Sequence, residues 1–537
     1  MEQRNLILAF ALSMLILLGW GMLFPPVENN EPVAVTETTS AVDIPNEDGT
    51  STPELRPDVE DVLVSSPATP VEPSAPTLKT TAIAGKAITF GNDLIKLDVN
   101  DKGWVIGARL DQYRDSLEKD SGPVSVLGEN EPHATYLNAG LMGEKNISPF
   151  KLLSKETSNG ADKVVIRAKL SDGRVWDRIF TLSAGSYLIN IEDRVQNGSD
   201  IKLFRQVVER YPDRENSTFY EHMGPVGLIE DALQEHSYDD LDEVGTVRLA
   251  ATGGWTGIMD RYFITAMYGN QQSDYRYYYK GDGRSYQAGM IDDGVMDGST
   301  VVFQSKVFIG PKSIPVLKDA GVGLERSIDY GWFAFISKPL HDALSWFFTY
   351  IPNYGVCIIL LVICIKIIFF YPTQKSYQSM AAMRKLQPEQ KRLQERFGGD
   401  RQQLGQEMMA LYKKHKVNPL GGCLPIIIQI PVFFALYKVL LMSIEMRQAP
   451  FIGWIQDLSV QDPFFVLPLL MGGSMYIQQK LNPQPPDPMQ AKIMSFLPAL
   501  FTVMFLFFPA GLVLYWVVNN VLSIIQQRLV MRTMGVD

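Results

Sequence analysis

The chain contains 537 residues, of which 46% are hydrophobic, and it has a formal net charge of −10. A chain of this length exceeds the size at which one hydrophobic core stops growing, which excludes a single-domain protein. Its apolar residues are segregated into long blocks, which indicates an integral membrane protein. All three cysteines (Cys357, Cys364 and Cys423) lie in or beside those blocks. The polar region therefore has no disulfide framework.

Residues 1–24 are predicted to form a transmembrane anchor. Residues 6–24 carry no charge, and a helix of that length spans a hydrocarbon core about 30 Å thick. A cleaved signal peptide is the alternative, but the apolar stretch is longer than a usual signal core and no A-x-A-like site precedes Pro25. Residues 25–80 are rich in proline and acidic residues, which predicts a disordered, extended linker.

Residues 81–323 are predicted to form an antiparallel β-sandwich. Segments of alternating or β-branched character occur at 164–170, 174–182, 187–195 and 301–309. Short strands of this kind, separated by turn residues such as Asn197-Gly198, are typical of sandwiches.

Residues 324–350 are predicted to form an amphipathic helix. Apolar residues recur at helical spacing from Trp332 to Phe348, while charged residues occupy other positions. The helix is too interrupted to span a bilayer and is expected to lie at the outer membrane interface. The alternative is a core helix of the β domain.

Five further spans are predicted within an α-helical core at 351–530. They lie at about 354–371, 421–442, 463–479, 494–508 and 511–528. Together with the anchor they make six, so both termini are expected on one side of the membrane. Short loops rich in lysine and arginine mark the cytoplasmic side of a membrane protein. The segment between the first two of these spans and the short tail at 531–537 are therefore expected in the cytoplasm.

The segment 372–418 contains ten Lys/Arg and four Asp/Glu residues, whereas the segment 25–330 contains 30 Lys/Arg and 48 Asp/Glu residues. The basic segment is therefore expected in the cytoplasm and the acidic segment in the periplasm. Residues 372–418 predict two helices that turn at Gly398-Gly399, with Pro388 splitting the first. This hairpin is either a docking surface for an anionic partner or merely a solvated face. The docking residues would be Arg384, Lys385, Lys391, Arg392, Arg396, Lys413 and Lys414.

No enzyme motif is present in the sequence. It contains no G-x4-G-K-[ST], H-E-x-x-H or G-x-S-x-G, and its five histidines lack the spacing of metal ligands. We therefore predict no catalytic residues, no cofactor and no metal site.

Lys366 is the most informative single residue, because a charge within a span is energetically costly and usually marks a functional site. The alternative is that its side chain snorkels to the cytoplasmic interface. No predicted span contains Asp or Glu, so Lys366 must be solvated by water and neutral polar groups. The neutral polar candidates are Gln429, Ser474, Gln478, Thr502, Asn519, Asn520, Ser523 and Gln526.

These residues predict a hydrophilic, positively charged cavity that opens toward the cytoplasm. Such a cavity lowers the barrier for the acidic flank of a helix to cross the membrane, while the helix slides along Ile430, Phe433 and Phe505. An ion-coupled transporter is the first alternative, but intramembrane carboxylates and an inverted repeat are missing. A membrane-anchored periplasmic carbohydrate-binding protein is the second, and it leaves the hairpin and Lys366 unexplained.

The helical region resembles the YidC/Oxa family of membrane protein insertases, in its Gram-negative YidC form. The resemblance covers about 325–530 and rests on the segments 407–413 (EMMALYK), 418–425 (NPLGGCLP), 429–437 (QIPVFFALY), 458–463 (LSVQDP), 487–490 (DPMQ) and 508–516 (FPAGLVLYW). It implies a multi-domain α+β membrane protein with a β-supersandwich in the periplasm and five core helices around a hydrophilic groove.

In this family Lys366 falls at the position of the groove arginine or lysine, and Tyr515 and Trp516 at an aromatic pair of the groove wall. The resemblance implies insertion and chaperoning of inner-membrane proteins, alone or with the Sec translocon. The implied partners are nascent membrane proteins, SecYEG and SecDF, the signal recognition particle receptor, the ribosome and membrane lipid, with no nucleic-acid specificity. This chain lacks the long basic C-terminal tail of some relatives, so ribosome docking through a tail is not expected.

Overall fold

The protein is described by a computed structural model. The structure describes residues 87–536 apart from 131, 145, 199–200, 213, 215–220, 419–423 and 484–487. The predicted anchor and linker and Cys423 lie outside the described residues.

The β domain comes first in the described chain and contains nineteen strands there. These are β1 (Ile88–Gly91), β2 (Ile95–Val99), β3 (Val105–Arg114), β4 (Pro123–Asn130), β5 (His133–Leu141), β6 (Lys151–Ser158), β7 (Ala161–Lys169), β8 (Val175–Leu182), β9 (Leu188–Gln196), β10 (Leu203–Arg210), β11 (Gly224–Ile229), β12 (Ala232–Glu235), β13 (Thr246–Thr252), β14 (Trp255–Met259), β15 (Phe263–Tyr268), β16 (Asp274–Gly281), β17 (Ser285–Asp292), β18 (Val295–Asp297) and β19 (Thr300–Pro311).

The strands form two antiparallel sheets. The first has the order β1-β2-β3-β4-β5-β10-β17-β16-β13, and the second has the order β12-β11-β14-β15-β19-β9-β8-β7-β6, with β18 paired to β19. In β8, every second residue from Trp176 to Leu182 is buried, because alternate side chains of a strand point to opposite faces. The four strands predicted from alternation correspond to β7, β8, β9 and β19, which confirms the antiparallel β domain.

Eleven α-helices occur among the described residues. They are α1 (Tyr238–Val244), α2 (Ile314–Ala320), α3 (Ala334–Tyr350), α4 (Tyr354–Ile368), α5 (Phe370–Lys385), α6 (Gln387–Phe397), α7 (Arg401–Lys414), α8 (Leu424–Met442), α9 (Val466–Leu481), α10 (Pro488–Phe505) and α11 (Ala510–Thr533). Side-chain caps begin several of them: at α4 Asn353 accepts from the N–H of Val356, and at α7 Asp400 accepts from the N–H of Gln402.

The predicted helix at 324–350 is continuous only from Ala334. The preceding residues form two short 3-10 turns, Leu324–Ser327 and Gly331–Phe333. The carboxylate of Asp329 accepts from the N–H of Gly331, which has a positive φ of 61°, so a local turn replaces the first helical turns. The helix α3 packs against α8 and α4, and this argues against the alternative of a core helix of the β domain.

The first predicted span of the core, 354–371, also differs from expectation. It ends as α4 at Ile368, and the chain bends by 70° into α5. Among the described residues, Ala510–Thr533 is the one single helix that is long and apolar enough to cross a membrane. The bent pair α4 and α5 gives a second such segment if the two helices are counted as one span. Ile427–Met442 and Ala491–Phe505 are shorter apolar helices.

The helix α11 lies at the centre of the helical region, where it contacts α4, α5, α8 and α9. The β domain is joined to this region through the segment after α8. There Arg447 donates to the backbone oxygen of Asp115 at 2.9 Å, and Ser313 donates to Glu445 at 3.0 Å.

Candidate functional site

One face of α11 carries a line of polar residues, which we call the polar stripe: Tyr515, Asn519, Asn520, Ser523 and Gln527. All five side chains are buried. Positions three and four apart lie on the same side of a helix, and twelve residues correspond to about 18 Å along its axis. The opposite side of α11 exposes Val521, Ile525 and Leu529, so α11 is apolar outside and polar inside.

Residues of α8, of α9 and of its C-terminal end form hydrogen bonds with the polar stripe. From α8, the amide of Gln429 donates to the hydroxyl of Tyr515. From α9, Ser474 accepts from the amide of Asn520 at 3.0 Å. At the end of α9, the Asn482 carbonyl accepts from the Gln527 amide at 3.0 Å.

Lys366 is the partner contributed by α4. Its ammonium donates to Oγ of Ser523 at 2.7 Å, and within the described chain no carboxylate lies within 4.0 Å of it. Tyr377 of α5 lies near the same hydroxyl, a contribution that sequence reasoning missed. The ammonium of Lys366, a half-buried residue, is therefore directed toward neutral groups of the neighbouring helices.

Two predicted groove residues lie apart from this network. The hydroxyl of Thr502 donates to the backbone oxygen of Pro498 in its own helix at 2.7 Å and faces Gly472. Gln478 is half-buried and makes no hydrogen bond to the described residues of the polar stripe. A second lysine that the sequence analysis overlooked, Lys438 in α8, lies far from the stripe and donates to the backbone oxygen of Asp329 at 3.4 Å.

An aromatic cluster lies beside Tyr515. The ring of Trp516 contacts Phe433 edge-on at 4.7 Å and Phe505 at 5.4 Å between ring centroids. Phe505 is only 1% exposed because Phe501, Phe508 and Trp516 enclose it, whereas Ile430 is 47% exposed. Contrary to prediction, Phe505 is thus not on a surface along which a client slides.

The end of α11 beyond Gln527 is enclosed by methionines and other apolar residues. One cluster joins Tyr377, Met380, Met383 and Val530, and a second joins Ala381, Met531 and Val536. The helices α6 and α7 lie next to this region and pack against each other. Of the seven basic residues predicted for docking, six are exposed, and Arg384 is half-buried with its guanidinium 3.9 Å from the sulfur of Met531.

An aromatic surface covers the outer side of α3 and the turn before it. Trp332 is 93% exposed, and Phe335, Trp346 and Tyr350 are also exposed. The opposite side of α3 is fixed to the helical region, since the buried hydroxyl of Ser337 donates to the backbone oxygen of Ala435 at 3.2 Å.

The β domain contains a cavity of about 220 Å³ that sequence reasoning did not find. Its lining includes His133, Glu209, Tyr238 and Asp260. The hydroxyl of Tyr238 donates to Glu209 at 2.7 Å, and removal from water raises the pKa of Glu209 to about 7. No group of three or more metal-ligand residues occurs in the described chain.

Comparisons with known proteins agree with this two-part organisation. Residues 87–343 match the family model described as YidC periplasmic domain, and residues 346–536 match the one described as 60Kd inner membrane protein. The membrane protein insertase YidC of Magnetococcus marinus is 41% identical over 559 residues, which covers 99% of each chain. That of Hahella chejuensis is 36% identical over 553 residues and covers 96% of this chain and 94% of its own.

Among solved structures, the crystal structure of an active YidC insertase with its first transmembrane domain resolved covers 82% of this chain and 92% of its own, at 16% identity and a TM-score of 0.36. The two family models cover nearly all of the described residues, and the relatives match almost the full length at 36–41% identity. The chain therefore belongs to the YidC family of membrane protein insertases, inner-membrane proteins whose β domain is periplasmic.

Proposed function

We propose that this insertase works through a hydrophilic groove, open toward the cytoplasm, whose floor is the polar stripe of α11 and whose charge is Lys366. The observation that carries the proposal is the ammonium of Lys366 inside the helical region, bound to the neutral hydroxyl of Ser523. A cation without a carboxylate partner is available to an anionic group of a client.

The physical task is to lower the cost of moving polar groups across hydrocarbon. One charged side chain at the centre of a bilayer costs about 2.5–3.5 kcal/mol on insertion scales. A client flank with two carboxylates therefore meets a barrier of about 5–7 kcal/mol. The polar stripe and Lys366 offset part of this barrier, and burial of the client's apolar helix in lipid drives the reaction without a nucleotide.

Short helices next to the groove reduce the remaining distance. The helix α9 has 16 residues, which corresponds to about 24 Å against a hydrocarbon core of about 30 Å. The membrane is expected to thin beside it. Ile430 and Phe433 of α8 supply the apolar surface along which the client leaves the groove.

We propose six spans in all, with both termini in the cytoplasm. The parts of the chain are then the N-terminal anchor (1–24), the linker (25–80), the periplasmic β-sandwich (81–323), the interfacial segment (324–350), the insertase core (351–530) and the cytoplasmic tail (531–537). The exposed aromatic residues of α3 and of the turn before it, such as Trp346 and Trp332, support the position of this segment at the outer interface, where tryptophan and tyrosine are enriched.

We propose that α6 and α7 form a cytoplasmic docking hairpin. The six exposed basic residues on them and on the end of α5 give a positive surface that suits the anionic surfaces of the ribosome and of the signal recognition particle receptor. Inserted clients are either released into lipid directly or passed to SecYEG and SecDF.

The test is reconstitution of the purified full chain in liposomes with a small single-span client that carries an acidic flank. We expect insertion without nucleotide. Lys366→Glu should lower the initial rate about tenfold, equivalent to about 1.4 kcal/mol of barrier, because the client carboxylates are then repelled.

Lys438 supplies the matched control, since it lies in a core helix but away from the polar stripe. Lys366→Gln should slow insertion, whereas Lys438→Gln should leave the rate unchanged. Equal rates for the two variants would contradict the role of Lys366.

A further inference from the structure

The segment that joins α8 to α9 has an inverted arrangement of polar and apolar side chains. We call residues 449–465 the α8–α9 loop. Its two charged residues, Asp457 and Asp462, are buried. The large apolar side chains that it exposes are Ile452, Trp454, Val460, Phe464 and Phe465. A loop surrounded by water normally exposes its charges, so this pattern is the one expected beside an apolar medium.

Hydrogen bonds within the protein satisfy both buried carboxylates. Asp462 accepts from the indole N–H of Trp454 at 2.9 Å. It also accepts from the backbone N–H groups of Phe464 and Leu467, at 3.1 Å and 2.7 Å. Asp457 is likewise bonded within the loop. Because the indole N–H is already paired, the exposed part of the Trp454 ring needs no water.

The backbone of the loop is bonded to the start of α11. The N–H of Ala510 donates to the backbone oxygen of Val460 at 2.7 Å, and the next N–H, that of Gly511, donates to the oxygen of Leu458 at 2.9 Å. At the edge of the hydrocarbon a non-helical backbone needs partners within the protein, because lipid supplies none. These bonds also hold the loop beside the turn between α10 and α11, where Phe507 is exposed.

The exposed apolar surface of the loop continues onto α9. The rings of Trp454 and Phe464 lie edge to face, with 6.2 Å between their centroids, and α9 begins two residues after Phe464. On the first turn of α9, Leu469 and Leu470 are exposed. A transmembrane helix presents such residues to lipid. Because one apolar surface runs from the helix to the loop, we expect the same medium to cover both.

We propose that the α8–α9 loop lies at the outer boundary of the hydrocarbon, with the side chains of Ile452, Trp454 and Phe464 inserted among lipid acyl chains. This inference rests on the proposed arrangement of six spans, in which the loop is on the periplasmic side. With the aromatic surface of α3, the loop gives the helical region a second lipid-binding surface on that side. It also fills part of the outer leaflet beside α9, whose 16 residues are shorter than a full span.

The first experiment compares how fast introduced cysteines react with a water-soluble maleimide in phosphatidylcholine liposomes. Ile452→Cys and Val295→Cys are a matched pair, since the native side chains are 67% and 68% exposed on the protein. Val295 lies in β18 of the periplasmic domain, so the orientation of the protein in the liposome affects both positions equally. Ile452→Cys should react at least about tenfold more slowly, because only the solvated thiolate is a nucleophile.

Two controls accompany this pair. The chain without an introduced cysteine gives the background from its native cysteines. In a denaturing detergent, Ile452→Cys and Val295→Cys should react at the same rate, because neither thiol is then shielded.

Tryptophan fluorescence provides an independent measurement. Phospholipids with bromine on their acyl chains quench tryptophans that contact those chains, and acrylamide quenches tryptophans that contact water. The difference between wild type and Trp454→Phe isolates the emission of Trp454, which should be quenched by the brominated lipid and shielded from acrylamide. The same difference for Trp255→Phe should respond to neither quencher, because Trp255 is fully buried in the β domain.

Leu469→Cys distinguishes a failure of this inference from a failure of the spans on which it rests. Its native side chain is 62% exposed on α9, and it should react as slowly as Ile452→Cys. Fast reaction of Ile452→Cys with slow reaction of Leu469→Cys would overturn the inference and leave α9 in the membrane. The apolar loop would then face water, as a docking surface for a partner protein does. Fast reaction of both would overturn the proposed position of α9 as well.

Discussion

The ammonium of Lys366 donates a 2.7 Å hydrogen bond to the hydroxyl of Ser523, and that hydroxyl donates to the backbone oxygen of Asn519 at 2.7 Å. Oγ of Ser523 thus accepts a hydrogen bond from Lys366 and donates its own proton to the backbone of α11. The lysine of α4 is thereby held against α11 without neutralisation of its charge. This geometry orients the cation and keeps it available to an anion.

A double-mutant cycle between Lys366→Met and Ser523→Ala should give a coupling energy of about 0.6–1.7 kcal/mol, the range seen for hydrogen bonds between membrane helices. The measurement is the free energy of unfolding of the full chain in detergent. The control cycle pairs Lys366→Met with Thr502→Ala, because Thr502 is bound within its own helix. We expect those two effects to add within about 0.5 kcal/mol. Additivity in the Ser523 cycle would show that the hydrogen bond does not form.

The contact between α9 and α10 should be sensitive to one added methyl group. A Cβ at Gly472 would collide with the hydroxyl of Thr502, whose rotamer is fixed by its bond to Pro498. Gly472→Ala should therefore destabilise the protein by about 1–3 kcal/mol, as overpacking does in well-packed interiors.

Gly473 provides the control for this substitution, since a Cβ there meets no atom within 4 Å. Gly473→Ala should leave the melting temperature unchanged or slightly higher. If both variants melt at the wild-type temperature, the close packing of α9 on α10 is absent in solution.

The fold was predictable from sequence where one periodicity dominates. Alternating residues in β8 and β9 identified strands, and Pro388 and Gly398 marked the helix breaks on either side of α6. The bend after Ile368 was not predictable, because the apolar run continues through Phe370 and no proline or glycine interrupts it before Pro372. Packing of α5 against α11 decides its direction instead.

The candidate site was predictable in composition but not in its pairing. The absence of acids from the spans indicated that Lys366 needs neutral partners, and Ser523 was among the candidates. Tyr377 and Gln527 were missed because they lie beyond or near the ends of the predicted spans. Phe505 was assigned to a sliding surface because sequence does not distinguish an aromatic residue that faces lipid from one enclosed by Phe508 and Trp516.

Asp193 is expected to be critical for the β domain. Its carboxylate accepts from Arg178 of the same sheet and from Arg205 of the facing sheet, each at 2.6 Å, and all three side chains are almost fully buried. Asp193→Ala leaves two buried guanidinium groups without their counter-charge. The free energy of unfolding should fall by about 3–5 kcal/mol, which amide hydrogen exchange in β8 and β9 will report.

The comparison for Asp193 is Asp177 of β8, which pairs with Arg167 of the adjacent strand β7 at 2.6 Å, where both side chains are partly exposed. Because solvent screens that pair, Asp177→Ala should cost only about 0–1 kcal/mol. Similar losses for the two variants would mean that burial of the Asp193 network does not govern its contribution.

Glu209 should make the stability of the β domain depend on pH. Burial raises its pKa from 4.5 to about 7, with a smaller contribution from nearby Asp260. Between about pH 4.5 and 7 the folded state keeps a proton that the unfolded state releases, so stability falls as the pH rises through this window. Glu209→Gln does not titrate and still accepts from the hydroxyl of Tyr238.

The melting temperature of Glu209→Gln relative to wild type should therefore increase from pH 5 to pH 7 and stay constant above pH 8. His222 acts in the opposite direction, because burial lowers its pKa to about 4 and stability then rises between pH 4 and 6.5. His222 is present in both proteins, so its contribution cancels in the difference. Parallel pH profiles for the two proteins would mean that Glu209 is ionised in the folded state, and that the cavity it lines is open enough to water to keep its pKa near the ordinary value.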